Sequence, residues 1–195
     1  MGTIITLPRA NQDGPMAVEK AMAGRRSHRD FSSQPLALEQ IGQLCWAAQG
    51  QDSGSRYRTT PSAGATYPLE LFVVTGDGFL HYLPAKHALE KLTDQDLRAA
   101  LASAGWGQSF IKEAPLTLVF AAEFARTTRR YGERGIRYVY MEAGHAAQNV
   151  HLQAESLGLG SVAVGAFEDA SVSRVLSLPK HFEPIYMVVV GYRHK

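Results

Sequence analysis

The chain contains a single cysteine, Cys45, so it can close no intrachain disulfide, and its stability needs no oxidising compartment. Charge is scarce and balanced. Charged residues are 19 % of the 195, and twenty Lys and Arg against eighteen Asp and Glu leave a formal net charge of +2. That is too near neutrality for a nucleic-acid or membrane partner held by charge over the whole surface, so any cationic effect must be local. No window reaches the apolar length of a membrane span. The N-terminus MGTIITLPRANQDG also lacks the basic start and apolar stretch of a secretory signal, and a cytoplasmic protein is expected. There is no HExxH and no cluster of Cys/His pairs. His145 and His151 are six positions apart and do not share a helix face, so no metal site is expected. Neither a G-x-S-x-G elbow nor a G-x-x-x-x-G-K-[ST] loop occurs, which weakens hydrolase and P-loop readings. Gly158-Leu159-Gly160 follows a helical pattern and precedes a strand, the reverse of a dinucleotide fingerprint, and reads as a helix cap and turn.

What is present is an apolar fraction of 45 %, enough for one globular domain of ordinary size. Residues 1–14, with Gly, Pro and Asn and no periodicity, are expected as an extended arm, and residues 15–195 as the domain. Apolar residues recur at helical spacing from Pro15 to Gly24 and from Leu36 to Gln49, with Gly50 able to stop the second helix. A polar stretch, residues 51–60, leads into the small-residue loop Pro61-Ser62-Ala63-Gly64-Ala65-Thr66-Tyr67-Pro68. Leu69–Thr75 and Phe79–Leu83 around Gly76-Asp77-Gly78 predict a hairpin, and Pro115–Ala122 a buried strand after helices near 94–104 and 108–113. From Gly135 to Leu157 one stripe holds Val139, Ala143, Ala146, Ala147, Val150, Ala154 and Leu157, while Tyr138, Met141 and Leu152 lie opposite. A helix apolar on two sides needs two partners, and a second copy of the chain is the expected one. Ser161–Val164, a short helix capped by Asp169 or Ser171 and running to Leu178, and Pro184–Gly191 complete the pattern. The fold class expected is α+β, a mixed sheet of four to five strands flanked by helices.

Three segments offer chemistry. Arg25-Arg26-Ser27-His28-Arg29 joins guanidinium forks to a hydroxyl, which suits a phosphate monoester, although arginines also suit a solvated helix end. The small side chains of Ser62, Ala63, Gly64 and Ala65 let a flat ligand approach the backbone, although a plain Gly/Pro loop has the same composition. Val164-Gly165-Ala166-Phe167 ends a strand with amides available as donors, or is simply a turn. Gly191-Tyr192-Arg193 ends the last strand in a cation or a solvated tail.

In order along the chain, these runs, with Glu113-Ala114-Pro115 and Met141-Glu142-Ala143-Gly144-His145-Ala146-Ala147-Gln148-Asn149, resemble the nitroreductase family, nearest its SagB-type dehydrogenase branch, from about Met22 to Arg193. The resemblance implies a nitroreductase-like homodimer with FMN at the subunit interface. It implies that Arg25, Arg26, Ser27 and Arg29 hold the FMN phosphate and ribityl chain with Arg193, and that Ser62, Ala63 and Gly64 reach the flavin from the partner subunit. The amides of Gly165 and Ala166 would face flavin N5 and O4, and by a looser match Gln108 would touch the pyrimidine edge. The implied reaction is ping-pong hydride transfer from NAD(P)H to a small acceptor such as a nitro compound or quinone. Azoline oxidases of the branch use a Lys-Tyr pair where this chain has Arg130-Tyr131. Guanidinium is always protonated, so Tyr131 is the one candidate for such chemistry. The extra N-terminal domain that peptide-processing members generally carry is not expected in this protein. A tailoring dehydrogenase acting on a peptide or natural-product intermediate, and a flavin-binding or docking subunit without turnover, are the alternatives. The basic residues Arg126, Arg129, Arg130, Arg134 and Arg137 read as a docking surface or a solvated face.

Overall fold

A computed structural model describes residues 2–51 and 56–194; residues 52–55 of the polar stretch, and the two terminal residues, lie outside it. The strands are β1 (Thr3–Thr6), β2 (Leu69–Thr75), β3 (Gly78–Leu83), β4 (Ala88–Thr93), β5 (Leu116–Ala122), β6 (Gly160–Val164) and β7 (Glu183–Gly191). They form one sheet in the order β1-β4-β3-β2-β5-β7-β6, and every pairing is antiparallel. The sheet therefore has seven strands instead of four to five, and is antiparallel instead of mixed. The two strands without a sequence signal have a physical reason for it. β4 reads Ala-Leu-Glu-Lys-Leu-Thr, whose charged pair breaks the apolar alternation, and β1 is a four-residue edge inside the segment expected as an unpaired arm. Order thus begins at Thr3, where the backbone pairs with β4, and not near Pro15.

Strand alternation splits the core in two. Leu69, Leu71 and Val73 of β2 and Leu116, Leu118 and Phe120 of β5 face one side, while Phe72, Val74, Val119 and Ala121 face the other. On the first side lie α2 (Leu38–Gln49) and α6 (Arg134–Ser156), through Leu44, Cys45, Ala48, Val139, Ala143, Ala147, Val150 and Ala154. On the second lie α3 (Arg98–Ala104), α4 (Ser109–Glu113) and α7 (Asp169–Val175). α1 (Val18–Gly24) packs beside the end of α6, and α5 (Ala125–Tyr131) leads into its start. Burial pushes the Cys45 thiol well up, so it is a packing group and not a nucleophile. α7 is capped by Glu168, whose carboxylate accepts from the Ala170 and Ser171 amides, in place of the expected Asp169 or Ser171.

α6 has 23 residues, about 35 Å of helix. It ends before Gly158, whose φ of +72° is the left-handed conformation that closes such a helix. Of the side chains expected on its second apolar side, Met141 is 51 % exposed, whereas Leu152 is half-buried and Tyr138 packs edge-on against Tyr131. Ile136 and Tyr140 are exposed beside Met141, so this chain leaves an apolar strip of the helix uncovered. No helix among the described residues is long and apolar enough to cross a membrane.

Candidate functional site

The residues singled out in the sequence gather in three places. The first is the start of β6. Buried Phe31 pairs with Arg193 and Ser27 bridges Ser161, so the segment after α1 is laid across the ends of β6 and β7. The His28 N–H donates to Ser161 O at 3.0 Å and that of Ser32 to Tyr192 O at 2.9 Å. Arg25 and Arg193, from opposite ends of the chain, both act on His28. Burial first, and then the Arg193 charge, pull its pKa down, with Arg25 adding to the effect and Glu155 opposing it. Arg193 pairs with Glu155 and donates to Leu159 O at 2.8 Å. Arg26 folds back on the carbonyls of Ala23 and Arg25, both at 2.8 Å, and closes α1. Ser27 and Arg29 are exposed. Behind them His151 of α6 meets Ser161 Oγ at 2.7 Å, and burial with the Arg25 charge lowers its pKa to about 4.

The second place is the far end of β6, about 13 Å from Ser161 at the rise of a strand. Gly165 and Ala166 are exposed there. Gln108 at the start of α4 donates to Ala166 O at 2.9 Å and to Gly105 O at 2.7 Å, which places it beside Ala166.

The third is the 61–67 loop against the start of α6. Gly64 sits at φ +59°, and a Cβ there would lie 2.6 Å from Tyr131 Oη and 2.8 Å from Arg130 Nη1, so a larger residue would be strained and would displace those side-chain ends. Arg130 Nη1 donates to Gly64 O at 3.2 Å. Ala65 and Tyr67 also hold positive φ, at 53° and 45°, which costs energy that the loop's bonds must offset. Those bonds are many: the Tyr67 N–H donates to Ser62 Oγ at 2.9 Å, Thr66 and Thr127 hydroxyls meet at 2.8 Å, and Arg126 donates to Tyr67 O at 3.0 Å. Beneath the loop lies Glu142, 3 % exposed, with Oε1 unpartnered. Burial raises its pKa to about 7 against the opposing effects of the Ser62 hydroxyl and the Arg58 charge. Tyr131 thus joins Ser62, Ala63 and Gly64 in one cluster. Arg126 is tied to Glu70 and Glu123, both at 2.6 Å, so it belongs to the interior network and not to a docking surface, unlike the exposed Arg129, Arg134 and Arg137.

Sequence reasoning did not single out His151, Glu155, Ser161 and Arg58. Glu155 meets Arg193 38 positions away, His151 and Ser161 meet across the turn between α6 and β6, and His151 had been weighed only as a metal ligand; His28 and Glu142 were within the quoted runs but carried no role. Glu142 and Glu155 both project from α6 and are about 20 Å apart along it, so within one chain the loop cluster and the arginine cluster do not meet.

The arginine cluster fits a phosphorylated cofactor. Arg193 spends one bond on Glu155, yet its Nε and the His28 Nε2 are buried without partners, and Arg25, Ser27 and Arg29 offer further donors nearby. Among the described residues no group of three or more His, Cys, Asp or Glu could hold a metal ion.

The nitroreductase family model matches residues 22–192. The chain is 43 % identical over 180 residues to Methanocaldococcus jannaschii MJ1384, a protein assigned provisionally to the nitroreductases, covering 89 % of this chain and 90 % of that one. It is 31 % identical over 143 residues to the Escherichia coli microcin B17-processing protein McbC, covering 68 % and 53 % respectively. It is 25 % identical to the Bacillus subtilis FMN reductase [NAD(P)H], covering 90 % of this chain and 65 % of that protein. The chain therefore spans little more than half of McbC and under two thirds of the FMN reductase. A crystal structure from Ralstonia eutropha, provisionally described as a nitroreductase, superposes with a TM-score of 0.89 at 31 % identity, covering 98 % of this chain and 90 % of that one. With the fold, the family model and these relatives in agreement, the chain belongs to the nitroreductase family and is an oxidoreductase.

Proposed function

We propose that this protein is an FMN-dependent oxidoreductase that takes hydride from NAD(P)H and delivers it to a small organic acceptor, a nitro compound or quinone, in ping-pong order. The observation that carries the reading is the segment with Arg25, Ser27 and Arg29 laid across the strand ends that carry Ser161 and Arg193, with Gln108 and Ala166 joined at the far end of β6. The likeness to the FMN reductase of Bacillus subtilis supports the choice of flavin.

Bound FMN would supply two-electron chemistry at its ring, and the chain's residues bind and orient it. Arg25, Arg29 and Arg193 hold the phosphate with the Ser27 hydroxyl, while Arg26 shapes the turn by capping α1. Gln108 holds the Ala166 carbonyl and so anchors the turn that carries the Gly165 and Ala166 amides. Ser62, Ala63 and Gly64 serve a site in a second copy, a reading that the separation of about 20 Å along α6 supports. The uncovered strip of Ile136, Tyr140 and Met141 supports that homodimer. The purified protein is expected to be yellow and to release FMN, and not FAD, on denaturation. A colourless preparation that fails to take up added FMN ends this reading.

One observation favours a second reading, a tailoring dehydrogenase for a peptide or natural-product intermediate. Tyr131 stands against Gly64 in the loop cluster, and the McbC likeness supports the branch. Arg130, bonded to Gly64 O and always protonated, cannot be its base. Turnover with a peptide azoline and none with quinones or nitroarenes would select this reading. A bound flavin that no nicotinamide reduces would select a non-catalytic subunit.

A further inference from the structure

On the sheet face opposite α6 lies a cavity of about 490 Å³, a size that suits a small molecule. It sits by the C-terminal end of α7, whereas Gly165 and Ala166 precede that helix, and none of the residues assigned to the flavin lines it. Its walls are the rings of Phe72, Phe79 and Phe182 with Leu92 and Leu176, and no Asp, Glu, Lys or Arg lines it. Burying an unpaired ionic group against such walls costs several kcal/mol, so its occupant is uncharged.

The polar residues lining the cavity are His81, Thr93, Gln95 and Ser177, and of these His81 is stacked on Phe72 with ring centroids 4.7 Å apart. Glu70 precedes Phe72 by two residues and so shares its face. Its Oε2 lies 2.7 Å from His81 Nε2, and its Oε1 lies 2.6 Å from Arg126. Burial pushes the Glu70 carboxyl up, but the bonds from His81 and Arg126 outweigh that and hold it below its ordinary value. Pairing with that carboxylate turns Nε2 toward Glu70 and fixes the ring, and Nδ1 makes no bond to a described residue. A histidine whose ring is fixed by a carboxylate, in a cavity lined by three phenylalanines and by no charged residue, is a directional recognition group.

We propose that this cavity is a second small-molecule site, for a flat, uncharged aromatic compound that donates one hydrogen bond to His81 Nδ1. The probe is 1-naphthol, titrated into the FMN-loaded protein and followed by fluorescence anisotropy or ligand-observed NMR. It should bind saturably, one per chain, with no displacement by excess FMN. Naphthalene should bind roughly fivefold more weakly, the value of one hydrogen bond, and 1-naphthalenesulfonate should not bind. His81→Phe should erase the preference for the hydroxyl while keeping the ring stack. Leu92→Trp, a change at a residue 48 % exposed on the rim, should block entry with FMN retention unchanged. Absence of saturation, displacement by FMN, equal binding of naphthalene or of the sulfonate, or unimpaired binding to a folded Leu92→Trp protein each overturns the proposal.

Discussion

Toward one end of α6 a carboxylate, Glu142, is buried beneath the 61–67 loop; toward the other a histidine, His151, is buried against β6. Desolvation is the leading cause at both, and it moves them in opposite directions, the acid up to about 7 and the base down to about 4. Burial opposes whichever form is charged, so both groups favour neutrality. Their neighbours differ in effect. Arg58 and Ser62 oppose the shift of Glu142, whereas Arg25 reinforces that of His151. The loop end thus holds a carboxyl that titrates near neutral pH, while the arginine end keeps its histidine uncharged and leaves positive charge to the guanidinium groups.

The largest expected effect tests the arginine end. Arg25→Ala combined with Arg29→Ala should weaken FMN retention by about a hundredfold, two charge-assisted contacts, with little change in Tm. Ultrafiltration of the flavin followed by thermal unfolding reads both, and unchanged retention removes the phosphate assignment. Next comes the loop end. Because the folded pKa of Glu142 is raised, stability is full below the unfolded value of 4.5 and falls as pH rises toward 7, by about 3 kcal/mol in all. Glu142→Gln should abolish that fall and leave the variant the more stable at pH 8 in urea titrations. A parallel decline in both proteins would show that Glu142 is not its source.

His151 works in the reverse sense. Its folded pKa is depressed, so its contribution is present above the unfolded value of 6.5 and lost as pH falls toward 4. The two windows overlap between pH 4.5 and 6.5 with opposite slopes, so His151→Asn should leave the fall due to Glu142 uncompensated there, whereas Glu142→Gln should leave the rise due to His151 uncompensated, and the opposite slopes of the two variants separate the two ends. The smallest effect concerns the loop alone: Gly64→Ala should cost about 1–2 kcal/mol through the positive φ and the contact with Tyr131 Oη. Tyr131→Phe in that background should recover part of the loss in Tm, because the phenol oxygen is the nearest atom.

The sequence by itself determined the local elements and the identity of the chemical groups. Helical spacing marked α6 to within a residue or so, since a 3.6-residue period over more than twenty positions has few competing explanations. The apolar runs of β2, β5 and β7 were equally plain because they are buried on both faces. Motif order singled out Arg25, Arg193, Gln108, Ala166 and the 61–68 loop. Tertiary structure alone decided what each of these meets: Arg193 with Glu155, Gln108 with Ala166, Gly64 with Tyr131, and β1 with β4. It also decided that His81, paired with Glu70, lines a cavity with three phenylalanines. Periodicity reports how a residue is oriented on its own element, whereas a pKa, a clash or a cavity depends on which distant elements are packed against it.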